Sequence, residues 1–357
     1  MKFCFAILKN ESESDHLEWI QACEQSHEYL NFEVVDLTKN DWLEKVQSRD
    51  FDCFLARPPG EIAYFKQLYD ERLYVIYKIL RKRIYPSYEE ILIYENKKML
   101  AYWLKVNQIP HAKTWIFYHK GEAIEFMEKC KLPLVAKTSI GASGSGVRII
   151  NNRKDLKNYI NAAFSDKGIP RKWGPNLRKG NITKRTFNRL KNIPGLIKYL
   201  CNKKKLVSID PQKWFVIFQD YIQCDYEWRC VRIGDSFFAH KKMRSFGEMI
   251  SGTSKVSWDT PPAKLLDFVK SVTDKGDFLS QAVDILEDKN GNYYVNELQC
   301  FFGSKNPHQM IIDGKPGRYI YKDSNWIFEE GNFNSNNSFD LRLKHVIELL
   351  EIKKYSK

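Results

Sequence analysis

The chain has 357 residues, 43% hydrophobic and 28% charged, which excludes wholesale disorder and allows two or three packed units. Lysine and arginine number 57 against 44 acids, a formal charge of +13. Thirteen of those bases and a single acid, Asp166, lie between Ser165 and Lys205, so the rest of the chain is close to neutral.

That basic insert carries Gly168, Gly174, Pro175, Gly180, Pro194 and Gly195 and reads as an exposed, partly irregular excursion. It is either a solvated loop or a patch for a polyanion, an acidic acceptor or an anionic membrane surface. Trp173 and Phe187 are too far apart for base stacking, so a nucleic-acid partner is not expected. No apolar run approaches the roughly 18–20 residues of a membrane span. The best stretch, Leu73–Leu80, is interrupted by Lys78, and Phe3–Leu8 is too short for a secretory signal. A cytoplasmic address is expected. The eight cysteines form no CxxC pair and read as free, mostly buried thiols.

In chain order, Phe3–Leu8, Phe32–Leu37 and Phe51–Ala56 read as strands. Helical patterns at Ser14–Ser26, Asp41–Gln47 and Phe65–Leu80 alternate with them. This alternation predicts a small open parallel sheet with helices on its faces. Tyr88–Val106 reads as one helix, its stripe made by Ile91, Leu92, Met99, Leu100, Trp103 and Leu104. From Leu132 the pattern becomes strand pairs: Leu132–Lys137, Val147–Ile150, Trp214–Ile222, Trp228–Ile233 and Phe237–Met243. Pro262–Val272 is helical, and Gln281–Leu286 with Tyr293–Leu298 closes the set of strands. A polar loop, Glu330–Ser338, leads to an amphipathic C-terminal helix that caps either its own domain or a neighbouring subunit.

The chemistry begins with a hairpin. Asn290-Gly291 favours a two-residue turn, because both central residues must adopt positive φ. Residues whose numbers sum to 581 then face one another, and Asp284 with Glu297 is such a pair. Their Cβ atoms would lie roughly 4.5–5.5 Å apart, with Gln299 on the same face. Facing carboxylates repel unless a cation lies between them, either a divalent ion or a basic side chain paired with one acid, or unless the turn is slipped by one residue so that they do not face. Second, Lys137 ends a strand and is followed by Ser139-Ile140-Gly141-Ala142-Ser143-Gly144-Ser145-Gly146, whose backbone N–H groups could close over phosphates or simply make a turn. Third, Glu227 and Arg229, with Arg232, Lys241, Lys242 and Arg244 close behind, supply the positioned charge that phosphoryl transfer needs, or else a salt-bridged sheet surface.

Taken in order, Asn96-Lys97, Ile109-Pro110, Pro133 to Lys137, the Gly/Ser loop, Gln219-Asp220-Tyr221-Ile222, Glu227, Arg229, Gly234-Asp235, Asp284 and Glu297-Leu298-Gln299 resemble an ATP-grasp protein. The layout is that of the RimK, glutathione synthetase and D-alanine–D-alanine ligase branch. The resemblance covers residues 1 to about 310 and implies an α+β, three-part fold. Its parts would be an α/β unit at 1–95, an ATP-clamping unit at 96–218 with the insert 165–205, a metal-bearing unit at 219–330, and a C-terminal helix at 331–357.

The resemblance also implies roles. Lys97 and Lys137 would contact ATP, Ser139 to Gly146 would close on its phosphates, Gln219 to Ile222 would recognise adenine, and Glu227 the ribose. Arg229 and Arg244 would handle the γ-phosphate and acyl-phosphate, and Asp284, Glu297 and Gln299 would hold Mg²⁺ or Mn²⁺. Gln299 stands where the family has asparagine, one methylene shorter, and Asn96 where it has aspartate. The implied activity is an ADP-forming carboxylate–amine ligation on an acidic metabolite, peptide or glycan precursor. A kinase of the same fold and a non-catalytic module binding a polyanion or membrane are the alternatives.

Overall fold

The computed structural model describes residues 2–141, 146–170, 211–244, 255–302 and 306–355. Its first sheet is parallel, in the order β2-β1-β3-β4, from β1 (Phe3–Lys9), β2 (Leu30–Asp36), β3 (Cys53–Ala56) and β4 (Ile84–Tyr85). The crossovers run through α1 (Leu17–Gln25), α2 (Trp42–Gln47) and α3 (Ala63–Tyr74). The expected helix 65–80 changes character part-way: after α3 the chain continues as a π-helical stretch, Val75–Ile79.

The single helix expected over 88–106 is two. α4 (Tyr88–Ile93) opens with a capping box between Ser87 and Glu90. Glu95 then takes the left-handed conformation, φ 50°, and Asn96 caps α5 (Lys97–Val106) by accepting from the Met99 N–H. Apolar periodicity carries across this break, which is why the pattern reads as continuous. Glu90 is wholly buried and also accepts the backbone N–H groups of Leu279 and Ser280, which ties α4 to the far half of the chain.

A second sheet, antiparallel, has the order β5-β8-β6-β7 from β5 (Thr114–Phe117), β6 (Leu134–Lys137), β7 (Val147–Ile150) and β8 (Val216–Asp220). The helices α6 (Lys120–Lys129) and α7 (Arg153–Ala163) contribute Ala123, Met127, Leu156 and Ile160 to its core. These two helices and β5 were not anticipated.

The third sheet comprises β9 (Tyr226–Ile233), β10 (Ser236–Met243), β11 (Val256–Ser257), β12 (Ser280–Glu287), β13 (Tyr293–Gln299), β14 (Ile311–Ile312), β15 (Lys315–Lys322) and β16 (Asn325–Glu330). Its order is β13-β12-β9-β10-β15-β14, with β11 on β10 and β16 on β15. The last three strands extend the sheet beyond what the pattern foretold. Trp228, Cys230, Val283, Ile285, Val295 and Leu298 line one face and bury Leu100, Trp103 and Leu104 of α5, together with Leu265, Leu266 and Val269 of α8 (Ala263–Lys275). The opposite face carries Glu227, Arg229, Lys242 and Asp284.

The C-terminal helix α9 (Phe339–Tyr355) returns to the first sheet, where Phe339, Leu343, Val346 and Leu350 pack with Phe3, Phe5, Ile7 and Trp19. It caps its own chain. Among the described residues no helix is long and apolar enough to cross a membrane.

The β12–β13 hairpin pairs Asp284 with Glu297 as the arithmetic requires, but by another route. Asp288 and Asn292 close a three-residue loop, in which Gly291 takes φ 75°. Glu287 therefore faces Tyr293 and Leu286 faces Tyr294, one residue short of the two-residue-turn register. The register shifts between Asp284 and Ile285, leaving Asn296 as the extra residue of a bulge and restoring the Asp284–Glu297 pair.

Candidate active site

Side chains alternate across a strand, so register decides which of them meet. Glu227 and Arg229 share a face of β9; Lys242 lies opposite Glu227, and Asp284 opposite Arg229. All four side chains converge on the face away from the α8 core.

Arg229 grips Asp284 with two parallel bonds, Nε to Oδ1 and Nη2 to Oδ2, each 2.7 Å. Lys242 Nζ lies 2.7 Å from Asp284 Oδ2 and 2.9 Å from Glu227 Oε1, bridging the two acids. Glu227 Oε2 accepts from Asn296 Nδ2 at 2.8 Å, and Asn296 Oδ1 accepts from Lys137 Nζ at 3.0 Å. The bulge therefore points Asn296 at the junction between the third sheet and β6 of the second.

On the other flank, Arg229 Nη2 donates to Gln299 Oε1 at 3.0 Å, and Gln299 Nε2 donates to Glu297 Oε2 at 3.0 Å. Lys97 Nζ donates to Glu95 Oε2 at 2.6 Å and to the Gly141 carbonyl at 2.7 Å. Glu95, Asn96, Lys97, Glu297 and Gln299 line one small cleft, with Leu100 at its base.

Burial and pairing oppose each other here. Burial alone would raise the Asp284 carboxyl, but Arg229 and Lys242 outweigh it and hold the group well below the usual carboxylate range. Glu227 goes the other way, pushed up to about 7 by burial and then by the charge of Asp284, against the pull of Lys242. Burial lowers Lys137, opposed by the nearby Glu297.

No family model and no curated protein matches the sequence. Solved structures do. The D-alanine–D-alanine ligase of Bacillus anthracis superposes with a TM-score of 0.55 at 13% identity, covering 99% of this chain and 100% of its own. The D-alanyl-alanine synthetase A of Vibrio cholerae gives 0.57 at 10% identity, with 98% of each chain covered. The N5-carboxyaminoimidazole synthetase of Staphylococcus aureus gives 0.53 at 12% identity, over 97% of this chain and 78% of that one. The chain has the ATP-grasp fold.

Within that ATP-grasp frame, Lys97, Lys137, Glu227, Arg229, Asp284, Glu297 and Gln299 converge, and Ser139 and Gly141 adjoin Lys97 through its backbone and side chain. Gly146 anchors the far end of the loop, its carbonyl accepting from Thr138 N at 2.9 Å. A Cβ there would stand 1.7 Å from Thr138 Oγ1, so only glycine fits. Ser143, Gly144 and Ser145 lie outside the described residues, as does the insert from 171 to 205.

The remaining expected positions lie along β8 and the connection that follows it. Gln219 donates to Thr114 Oγ1 at 3.0 Å and thereby fastens β8 to β5. Asp220 ends that strand exposed, while Tyr221 and Ile222 begin the connection to β9 half-buried. Arg244 reaches this connection, donating to the Tyr221 hydroxyl and the Cys224 carbonyl, and is not among the partners of the Asp284 cluster. Three residues of the network, Glu95, Lys242 and Asn296, were not selected as site residues from the sequence.

The fit to a divalent cation is uneven. Both Asp284 oxygens are taken by Arg229 and Lys242. Among the described residues no group of three or more His, Cys, Asp or Glu is placed to hold a metal ion. Glu297 enters none of the ion pairs that occupy Glu95, Glu227 and Asp284, and its one described contact is the amide of Gln299. Glu297 fits a cation; Asp284 as it stands does not.

Proposed function

We propose that the chain is an ATP- and divalent-cation-dependent ligase that joins a carboxylate to an amine and releases ADP. The observation that supports this most is the convergence of Lys97 and Lys137 with Glu297, Gln299 and Arg229 where the second and third sheets meet. Phosphoryl transfer requires positioning and charge neutralisation, and it requires no side-chain nucleophile. Lys97 and Lys137 would bind phosphate oxygens, with the 139–146 loop closing above them. Glu297, with Gln299 beside it, would hold Mg²⁺ or Mn²⁺, which when bound neutralises phosphate oxygens. Glu227 and the 219–222 segment would take the nucleoside.

A carboxylate oxygen of the substrate would attack the γ-phosphorus while the bond to ADP breaks, giving an acyl-phosphate. The amine would then attack the acyl carbon, with phosphate leaving and a proton released. Arg229 donates to Gln299 and lies within reach of the Glu297 charge, suited to the charge that develops at the transferred group. The basic insert suits an anionic metabolite, peptide or glycan precursor as one substrate. Seven described cysteines are unpaired thiols, which suits a reducing cytoplasm, where ATP is also supplied.

ADP release against a panel of carboxylates and amines tests this reading. Release that requires an amine is expected, with a loss of about 100-fold for Lys137→Ala and Glu297→Gln. Release that needs a hydroxyl acceptor and no amine would make the enzyme a kinase, and absence of ATP binding by calorimetry would remove the reading altogether.

A further inference from the structure

Asp284 and Glu297 face one another across β12 and β13, which makes a shared cation the first expectation for them. Their side chains part company. Asp284, 2% exposed, accepts three charge-assisted bonds from two different cations. Lys242 places one ammonium between Asp284 and Glu227 at 2.7 and 2.9 Å, the position a bridging cation would otherwise fill. This arrangement follows from register rather than from a chance side-chain fold, since Arg229 and Lys242 are the cross-strand neighbours of Asp284 and Glu227. The remaining oxygen of Glu227 is occupied by Asn296. Among the described residues the Glu297 carboxylate accepts one hydrogen bond, from the neutral amide of Gln299, with Lys137 and Arg229 acting on it through charge alone.

We infer that Asp284 is the standing counter-ion of Arg229 and Lys242, with Glu227 on the far side of the Lys242 ammonium, so that the divalent cation binds at Glu297 alone and the Lys242 ammonium does the work of a second ion. The inference rests on the ATP-dependent reading above and narrows its metal requirement to one ion per chain.

Mn²⁺ is the probe. The full chain is titrated with it in the presence and absence of the non-hydrolysable analogue AMP-PNP, free Mn²⁺ being read by electron paramagnetic resonance. One ion per nucleotide-loaded chain is expected. Glu297→Gln should weaken it about tenfold or more, and Asp284→Asn by less than about threefold. Lys242→Met removes one of the two donors on Asp284 Oδ2 and the donor on Glu227 Oε1, and should admit a second ion between them. Two ions on the wild type, or a loss for Asp284→Asn as large as that for Glu297→Gln, overturns the inference. Should Asp284→Asn fail to fold, Lys242→Met decides, and the absence of a second ion overturns it. Nucleotide binding without Mn²⁺ binding overturns the inference alone, whereas binding of neither overturns the ATP reading and the inference together.

Discussion

Replacing Asp284 by asparagine keeps the shape of the side chain and removes its charge, leaving two half-buried cations to find other partners. Asparagine oxygen can still accept one N–H, but its amide nitrogen is a donor aimed at a donor. Two of the three charge-assisted bonds to Asp284 are therefore lost. At about 1.5–3 kcal/mol for each bond to a charged group, the cost is about 3–5 kcal/mol, the range for breaking a buried ion pair. Lys242 keeps Glu227 and Arg229 keeps Gln299, which favours the lower half of that range. Adding Arg229→Met removes the stranded guanidinium and should recover about 2 kcal/mol. Urea unfolding followed by tryptophan fluorescence reads both variants, because Trp228 is buried in the same strand as Arg229. The contribution of Asp284 is present above its unfolded pKa and fades only as the pH falls through its depressed folded value. The gap between wild type and variant should therefore hold down to about pH 4. A cost under about 1 kcal/mol, or strict additivity of the two substitutions, would refute the argument.

Glu227, pushed up to about 7, acts with the opposite sign. Its favourable term is complete below the unfolded value near 4.5 and is lost as pH rises towards 7, so melting curves of the wild type should fall across that window relative to Glu227→Gln; parallel curves would contradict this. Glu90→Ala removes the acceptor of the Ser87, Leu279 and Ser280 N–H groups and should cost about 3–5 kcal/mol in denaturant titration. Gly291→Ala meets nothing within 4 Å, so any loss comes from its φ of 75° alone: about 1–2 kcal/mol, with Asn290→Ala well below that.

The β12–β13 pair shows how far local pattern reaches. Asn290-Gly291 marks the hairpin, and the Asp284–Glu297 pairing follows from a two-residue turn; the molecule reaches the same pairing with a longer loop and a bulge that cancel. That bulge turns Asn296 onto the charged face, and a strict alternation of period two has no means of placing it there. Lys242 is one of three cations within four positions, and its neighbour Lys241 instead lies over the Tyr226 and Trp228 rings. Only the pairing of β10 with β9 tells them apart. Glu95 was hidden because the apolar stripe of Tyr88–Val106 runs unbroken across a residue in the left-handed conformation. The parallel first sheet and the strands of the β9–β13 core were legible because their buried faces enforce the apolar pattern. The β15–β16 hairpin, half exposed, carries a weaker one.

The packing of α9 on β1 and α1 couples segments more than three hundred residues apart in the sequence. A ribosome releases strand β1 some three hundred residues before Phe339, Leu343 and Val346 exist to cover Phe3, Phe5 and Ile7. During that interval one side of the opening sheet stays wet and adhesive, while the middle sheet, whose strands and helices are all encoded between them, can close on its own. A chain cut short before α9 would thus leave the ribosome with an apolar wound rather than a smaller folded protein.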